Sequence, residues 1–243
     1  MHRFRVGTSG FSYVGWRGDF YPRELPPSRY LEHYARHFDT VELNVTFYRA
    51  PLERTVRGWA ETVPDNFAFV LKLPRHVSHL RCLAGCRGEL ERFVDRGRLL
   101  GDKWIASLLQ LPPGLSFDAT LLDDFLGELP GGAPPLAWEV RHPSFSEPEA
   151  VEWFRRRGQS LVIAESGGRY PTIREFTGAP VYLRFHGPEQ PYASRYTPEQ
   201  LASFVQWTRD AVPEGTPVLA YFNNDAGGHA VANARDLLAM VRG

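Results

Sequence analysis

Eight short segments rich in β-branched and aromatic residues recur along the chain, and helical patterns separate most of them. The segments are Phe4–Ser9, Thr40–Asn44, Phe67–Lys72, Trp104–Gln110, Leu136–Arg141, Leu161–Glu165, Val181–His186 and Val218–Asn223. Strands that alternate with helices pair in parallel, because each helix must carry the chain back across the sheet. Eight such units in 243 residues predict an α/β fold, a single parallel eight-stranded (β/α)8 TIM-type barrel whose one domain spans residues 1–243.

Capping residues mark the beginnings of the predicted helices. Asp118 and Thr197 each precede an apolar repeat of helical spacing, and Ser28 and Ser146 are predicted to cap two further helices. The segment from Ser166 to Pro180 is different, since it holds three glycines and two prolines. We therefore expect the sixth helix of the barrel to be short, irregular or missing.

The composition excludes several classes of protein. The 28 basic and 28 acidic residues give no net charge, which argues against a generally basic nucleic-acid-binding surface but not against a local basic groove. No apolar run approaches the roughly 20 residues that span a bilayer, and the first residues lack the apolar stretch of a signal peptide. Cys82 and Cys86 are too few for a disulfide scaffold. We expect a cytoplasmic protein without a membrane partner, and the oligomeric state stays open.

Polar side chains occupy alternate positions near the C-terminal ends of the predicted strands. Glu42 and Asn44 alternate with apolar residues in the second strand, as Arg184 and His186 do in the seventh. Alternate residues of a barrel strand face the lumen, where an unpaired charge costs several kcal/mol. This pattern predicts a site at the C-terminal mouth, formed by Glu42, Asn44, Lys72, Glu139, Arg141, Arg184, His186, Tyr221 and Asn223, with Gln110 and Glu165 as weaker members. The alternative is an internal salt-bridge network that satisfies only its own charges.

Several longer motifs resemble one protein family. They include GTSGFSYVGW, YARHFDTVELNVTFY, FAFVLKLPRHVSH, LLQLPP, WEVRHPSF, YLRFHG and YFNND, and they extend nearly from end to end of the chain. The chain resembles the barrel proteins called domain of unknown function 72, or YecE-like. The resemblance implies a TIM-type barrel without an established activity. It also implies shared polar positions, which fall here on Glu42, Asn44, Tyr48, Lys72, His79, Gln110, Glu139, Arg141, His142, Arg184, His186, Asn223 and Asn224.

These residue types suit a small anionic ligand that carries a phosphate or carboxylate group. Lys72, Arg141 and Arg184 supply positive charge, and the planar arginine group binds such anions in a bidentate manner. We predict an enzyme that needs no metal or other cofactor, a hydrolase, lyase or isomerase. Glu42 and Glu139 would flank the ligand as acid and base, and His186 or His142 would carry a proton. The predicted ligand-binding residues are Asn44, Tyr48, Lys72, His79, Gln110, Arg141, Arg184, Tyr221, Asn223 and Asn224.

Two other functions stay open from the sequence. One is a metal-dependent phosphodiesterase that acts on nucleic acid, with a divalent metal held by ligands among His79, Glu139, His142, Glu165, His186 and His229. The neighbouring cations and the lack of a known metal-binding spacing argue against it. The other is an anion-binding barrel without catalytic activity, because binding and catalysis use the same side chains.

Overall fold

Parallel strands alternate with helices along residues 3–242, the part of the chain that the computed structural model describes. The strands are β1 (Arg3–Thr8), β2 (Thr40–Leu43), β3 (Ala68–Lys72), β4 (Trp104–Gln110), β5 (Leu136–Glu139), β6 (Ser160–Leu161), β7 (Ile163–Glu165), β8 (Val181–Phe185) and β9 (Pro217–Phe222). They form a five-stranded sheet of order β2-β3-β4-β5-β6 and a four-stranded sheet of order β1-β9-β8-β7. The predicted parallel barrel-type α/β fold is confirmed.

The two sheets meet at two seams. At the first seam Val162 separates β6 from β7, so the sixth barrel strand leaves one sheet and enters the other. At the second seam β1 lies beside β2, where Ser9 and Glu42 form a single parallel bridge. The backbone N–H of Gly10 donates a hydrogen bond to the carbonyl oxygen of Glu42 at 2.7 Å. Eight strands thus surround one lumen.

A tyrosine hydroxyl supports the seam between β1 and β2. The Tyr34 hydroxyl accepts a hydrogen bond from the backbone N–H of Thr8 at 2.9 Å and donates one to the carbonyl oxygen of Thr40 at 3.1 Å. The strands approach closely here, since a Cβ atom at Gly7 would lie 2.2 Å from the Thr40 oxygen. The side chain of Tyr34 therefore satisfies backbone groups that regular strand pairing would otherwise satisfy.

Helices surround the strands in the order expected for the fold. They are α1 (Tyr30–Tyr34), α2 (Val45–Tyr48), α3 (Glu53–Thr62), α4 (Arg87–Gly97), α5 (Ala119–Glu128), α6 (Pro148–Arg156), α7 (Pro198–Ala211) and α8 (His229–Arg242). Between β7 and β8 every residue is described and none is helical, as the glycines and prolines there predicted. None of the helices within residues 3–242 has the length and apolar character that a membrane span requires.

Two of the four predicted helix caps, Asp118 and Thr197, cap helices in the structure, whereas Ser28 and Ser146 do not. Asp118 accepts hydrogen bonds from the first turn of α5, and Thr197 forms a capping box with Gln200. Ser28 instead lies inside a short 3-10 turn that begins at Pro27. The residue before α6 is Glu147 and not Ser146, because Pro148 takes the first helical position.

Apolar side chains fill two layers, one between strands and helices and one in the lumen. The lumen cluster consists of Val70, Ala106, Leu108, Ala137, Val162, Ala164, Tyr182, Leu219 and Tyr221. Strands β3, β4, β5, β7, β8 and β9 contribute to it, and where a strand supplies two residues these alternate, as the pleat of a strand requires. The apolar cluster fills the lower lumen and leaves the polar side chains at the C-terminal ends of the strands.

We expect Tyr34→Phe to lower the free energy of unfolding by about 1–3 kcal/mol, since it leaves the buried backbone groups of Thr8 and Thr40 without a partner. Urea unfolding followed by circular dichroism measures the change. Tyr48→Phe is the matched control, because Tyr48 is 73% exposed. Equal stabilities for the two variants would contradict the role of Tyr34 at the seam.

Candidate functional site

Arg184 lies between two glutamates that belong to the opposite sheet. Its Nε and Nη2 atoms donate to Glu42 Oε2 and Oε1 at 2.9 and 2.7 Å. Its Nη1 atom donates to Glu139 Oε2. All three side chains are at most 1% exposed. We call these three residues the ion triad.

Further donors complete the hydrogen bonding of the two carboxylates. The Tyr182 hydroxyl donates to Glu42 at 2.7 Å, and Gln110 Nε2 donates to Glu139 Oε1 at 2.8 Å. Burial is the largest influence and by itself would raise the pKa of each carboxyl group, but the charge of Arg184 together with the hydrogen bonds that each carboxylate accepts outweighs it. The pKa of Glu42 is lowered and that of Glu139 lies well below its ordinary value. Both glutamates are therefore ionised at neutral pH.

This arrangement changes the role expected for Glu42 and Glu139. From the sequence they were expected to flank a ligand as acid and base, whereas Arg184 occupies the space between them. Among the described residues that line the mouth cavity, neither glutamate is present. The two carboxylates hold Arg184 in place, because a buried arginine requires such partners.

A cavity of about 460 Å³ opens at the C-terminal mouth, above the ion triad. Its volume is within the range of small-molecule sites. Its walls are formed by Tyr13, Asn44, Phe47, Tyr48, Lys72, Arg75, His79, Gln110, Arg141, Arg184, Tyr192 and Asn223. Eight of these twelve are predicted ligand-binding residues: Asn44, Tyr48, Lys72, His79, Gln110, Arg141, Arg184 and Asn223. The structure thus brings most of the predicted ligand-binding set together.

Lys72 ends β3 and is buried in the wall of the mouth cavity. Its Nζ donates to Gln110 Oε1 at 2.9 Å and lies 4.2 Å from the centre of the Phe47 ring. No carboxylate of the described chain forms an ion pair with it within 4.0 Å. Burial, together with the charge of Arg184, lowers the pKa of Lys72 to about 7. Protonated and neutral forms are therefore both populated near neutral pH.

Two polar atoms of the cavity walls are buried and have no hydrogen-bond partner within residues 3–242. They are the donor Nε of Arg141 and the acceptor Oδ1 of Asn44. The Arg141 group is held in position, since Nη2 lies 3.3 Å from Glu139 Oε1 and the guanidinium stacks on Tyr170 at 4.6 Å. Unpartnered buried polar atoms are costly, so a ligand with one anionic and one donor group would stabilise this arrangement.

His186 lies beneath the cavity as a neutral ring. Burial and the charge of Arg184 lower its pKa. The amide nitrogen of Asn223 lies 3.0 Å from Nδ1 and donates to it, which places the ring proton on Nε2, 3.4 Å from Glu139. The ring of Tyr192 packs edge-on against His186 at 5.7 Å. His186 therefore contacts the ion triad and not the cavity.

Three predicted site residues form structural contacts instead of lining the cavity. His142 accepts from the backbone N–H of Ser144 at 3.2 Å and caps the turn after β5. The Tyr221 hydroxyl lies 2.7 Å from Thr40 Oγ1 in the lumen. Asn224 donates to Asn233 at 3.0 Å. Each is close in sequence to a cavity residue, so a motif alone does not separate the two roles.

Four residues of the cavity walls, Tyr13, Phe47, Arg75 and Tyr192, are not among the predicted ligand-binding residues. Arg75 follows β3 by three residues, and Tyr192 lies in the loop between β8 and α7. The available signal was their position, because the loops after barrel strands form the C-terminal mouth. Strand parity does not apply to loop residues, and it therefore did not detect either side chain.

The residues proposed as metal ligands do not converge. His79 contacts Ser78, His142 contacts Ser144, and Glu139 with His186 shares its neighbourhood with the cation Arg184. Within residues 3–242 no three His, Cys, Asp or Glu side chains form a group that could hold a metal ion. The metal-dependent alternative thus lacks a ligand set in the described chain.

Similarity to known proteins extends over the whole barrel. A DUF72 protein from Thermotoga maritima is 28% identical in sequence, covers 100% of both chains and has a TM-score of 0.87. The UPF0759 protein YecE of Escherichia coli K12 is 35% identical over 142 residues. That alignment covers 56% of this chain and 52% of YecE, about half the length of the relative. D-psicose 3-epimerase shares the fold alone, with 13% identity, 98% coverage of each chain and a TM-score of 0.57.

The family model described as "Protein of unknown function DUF72" matches residues 5–243. This match takes in all but two residues of β1 and every later strand and helix that shape the mouth cavity. The chain therefore belongs to the DUF72 family of proteins of unknown function.

Proposed function

We propose that the protein is an enzyme that binds a small phosphate- or carboxylate-bearing molecule in the mouth cavity and transforms it by acid–base chemistry without a metal. The observation that carries the proposal is the charge of the cavity walls. They contain Lys72, Arg75, Arg141 and Arg184, and no carboxylate is among the described residues of the lining. Glu42 and Glu139 offset only part of this charge, so the cavity attracts anions.

Arg141 is the proposed anchor for the anionic group. Its Nε–H is buried without a partner, and its guanidinium is fixed between Glu139 and the ring of Tyr170. A pre-positioned arginine loses little side-chain entropy when it binds, and its planar group matches carboxylate and phosphate. The exposed Arg75 at the rim adds long-range attraction.

Lys72 and His79 are the proposed proton carriers. Both line the cavity, and the pKa of Lys72 is about 7, close to the value that suits a general acid or base. Burial and the charge of Lys72 lower the pKa of His79, so its ring is neutral near pH 7. Ser78 occupies Nδ1 of His79, which leaves Nε2 for the ligand. The proposed acid–base groups are thus Lys72 and His79, which line the cavity. They replace the groups expected from the sequence, which were Glu42, Glu139, His186 and His142.

Asn44 extends the proposal to a second group on the substrate. Its Oδ1 atom is a buried acceptor without a donor. A hydroxyl group next to the anionic group would supply that donor, as in hydroxy acids and sugar phosphates. Glycolate, which carries one carboxylate and one hydroxyl, is therefore a suitable small probe.

We expect Arg141→Ala to weaken glycolate binding about 10- to 100-fold, since a hydrogen bond to a charged group contributes about 1.5–3 kcal/mol. Isothermal titration calorimetry at pH 7 measures the affinity. Arg36→Ala is the control, because Arg36 pairs only with Glu32 on the exposed face of α1. An unchanged affinity in Arg141→Ala would show that Arg141 does not bind the anionic group.

Turnover separates an enzyme from an anion-binding barrel. Hydroxy acids and sugar phosphates that raise the melting temperature are incubated with the protein in D2O and followed by proton NMR. Exchange or conversion by the wild type, lost in Lys72→Met, would support catalysis. Binding without any conversion would instead favour the non-catalytic anion-binding barrel.

Glycolate affinity should fall as the pH rises from 6 to 9. Lys72 is mostly protonated at pH 6 and mostly neutral at pH 9, because its pKa is about 7. The carboxylate of glycolate and the arginines keep their charges over this range, and the lowered pKa of His79 shifts its titration toward or below the acid end of the range. Lys72→Met should bind more weakly at pH 6 and show a flat profile. A pH dependence that persists in Lys72→Met would assign it to another group.

Glu42→Gln should lower the free energy of unfolding by about 3–5 kcal/mol, because it leaves Arg184 with an incomplete set of buried partners. Chemical denaturation provides the measurement. Glu32→Gln is the matched control, since the exposed pairs of Glu32 with Arg29 and Arg36 contribute at most about 1 kcal/mol. A loss as small as that of the control would show that Glu42 is free for a catalytic role.

A further inference from the structure

We propose that Lys72 forms a covalent imine with the carbonyl carbon of an α-keto acid bound in the mouth cavity. The inference rests on the proposed function, because the carboxylate of the keto acid would occupy the anion site at Arg141. It adds a nucleophilic role for Lys72 and names a class of substrate. The geometry around Nζ, the neighbouring cation and the unpartnered groups of the cavity each support it.

The surroundings of Nζ favour a neutral amine. Lys72 is 8% exposed, and no ion pair holds it among residues 3–242. Among the described residues, the one hydrogen bond of its Nζ, to Gln110 Oε1 at 2.9 Å, is to a neutral acceptor. A buried ammonium without a carboxylate partner is costly, whereas a neutral amine is not. The neutral amine has the lone pair that attacks a carbonyl group.

Gln110 fixes the direction of one N–H of this amine. Its Oε1 accepts from Lys72, and its Nε2 donates to Glu139 Oε1 at 2.8 Å. The ionised Glu139 accepts only, so the amide cannot turn over without placing its own Oε1 against the carboxylate, where no hydrogen bond can form. One N–H of Lys72 is thus held toward Gln110, and the rest of the amine is left for the cavity.

Arg184 supplies a permanent positive charge close to Lys72. Because Glu42 and Glu139 hold this guanidinium, its charge does not move away when Lys72 is protonated. Burial and this charge together lower the pKa of Lys72 to about 7. Desolvation next to a second cation is a known way to activate a lysine for imine formation.

The cavity also contains partners for the rest of an α-keto acid. Arg141 Nε is a free donor for the carboxylate, and Asn44 Oδ1 is a free acceptor for the hydroxyl of the addition intermediate. Both residues line the same cavity as Lys72. In the proposed complex, a substrate bonded to Lys72 contacts the side chains of both residues.

The step is balanced without an oxidant or a reductant. The Nζ lone pair forms a bond to the carbonyl carbon, and the carbonyl oxygen takes the proton that the nitrogen releases. The resulting carbinolamine loses its hydroxyl group with one proton as water, and a C=N bond forms. When this imine is protonated it withdraws electrons from a neighbouring C–H or C–C bond, which suits isomerase or lyase chemistry.

The chain offers an internal control, since Lys72 and Lys103 are its only lysines. Lys103 donates to the carbonyl oxygens of Ala60 and Val63 at 2.7 and 3.0 Å and lies 3.6 Å from Asp65. Its amine is thus occupied and away from the mouth cavity. A single labelling reaction therefore compares the reactivity of the two lysine amines within the same protein.

The full chain is incubated with pyruvate and sodium cyanoborohydride at pH 7, and its peptides are analysed by mass spectrometry. We expect a carboxyethyl group on Lys72, at least about tenfold more than on Lys103. Lys103→Arg should keep the label, and Arg141→Ala should slow labelling of Lys72. Lys72→Arg should carry no carboxyethyl label at position 72, and circular dichroism checks that this variant is folded.

Glycolate binding, measured in parallel, separates failure of the imine from failure of the anion site. If glycolate binds in an Arg141-dependent manner while Lys72 carries no label, the imine is overturned and the proposed function stands. If glycolate does not bind and Lys72 is unlabelled, both are overturned. Equal labelling of Lys72 and Lys103 reports nonspecific alkylation and overturns the imine.

Discussion

The ion triad of Arg184, Glu42 and Glu139 is the interaction on which the rest of the structure depends. Arg184 belongs to the four-stranded sheet, and both glutamates belong to the five-stranded sheet. The triad therefore joins the two sheets across the top of the lumen. At the seam between β1 and β2 one bridge and the Tyr34 hydroxyl join the same sheets. Desolvation of three charges is offset only because each carboxylate receives several hydrogen bonds.

The same triad defines the chemistry of the mouth. It keeps both carboxylates ionised and buried, so the negative charge stays below the cavity. Gln110 connects this layer to Lys72, which has no carboxylate of its own and a pKa of about 7. The fixed negative charges thus lie deep in the barrel, whereas Lys72, Arg141 and Asn44 line the cavity. The carboxylates that stabilise the barrel are therefore separate from the side chains that a ligand can contact.

The parity of residues within the strands predicts part of the site, but not all of it. The parity of Glu42, Lys72 and Arg184 in their strands placed them on the lumen side, because side-chain alternation is a local property of the backbone. Parity did not show that Arg184 lies between the glutamates, which depends on strands far apart in the chain. The family motif, which supplied both residues, did not distinguish Arg141 at the cavity from His142, its neighbour in sequence, which caps a turn.

The sequence by itself determined the alternation of strands and helices, the missing sixth helix and the polar ends of the strands. These follow from spacings of two and 3.6 residues and from the backbone preferences of glycine and proline, all of which act locally. Only the tertiary structure decided which charges pair and which remain for a ligand. Ion pairing depends on which strands face each other across the lumen, and barrel closure sets that arrangement. Barrel closure places Arg184 between Glu42 and Glu139, and it leaves Lys72 without an ion-pair partner among residues 3–242.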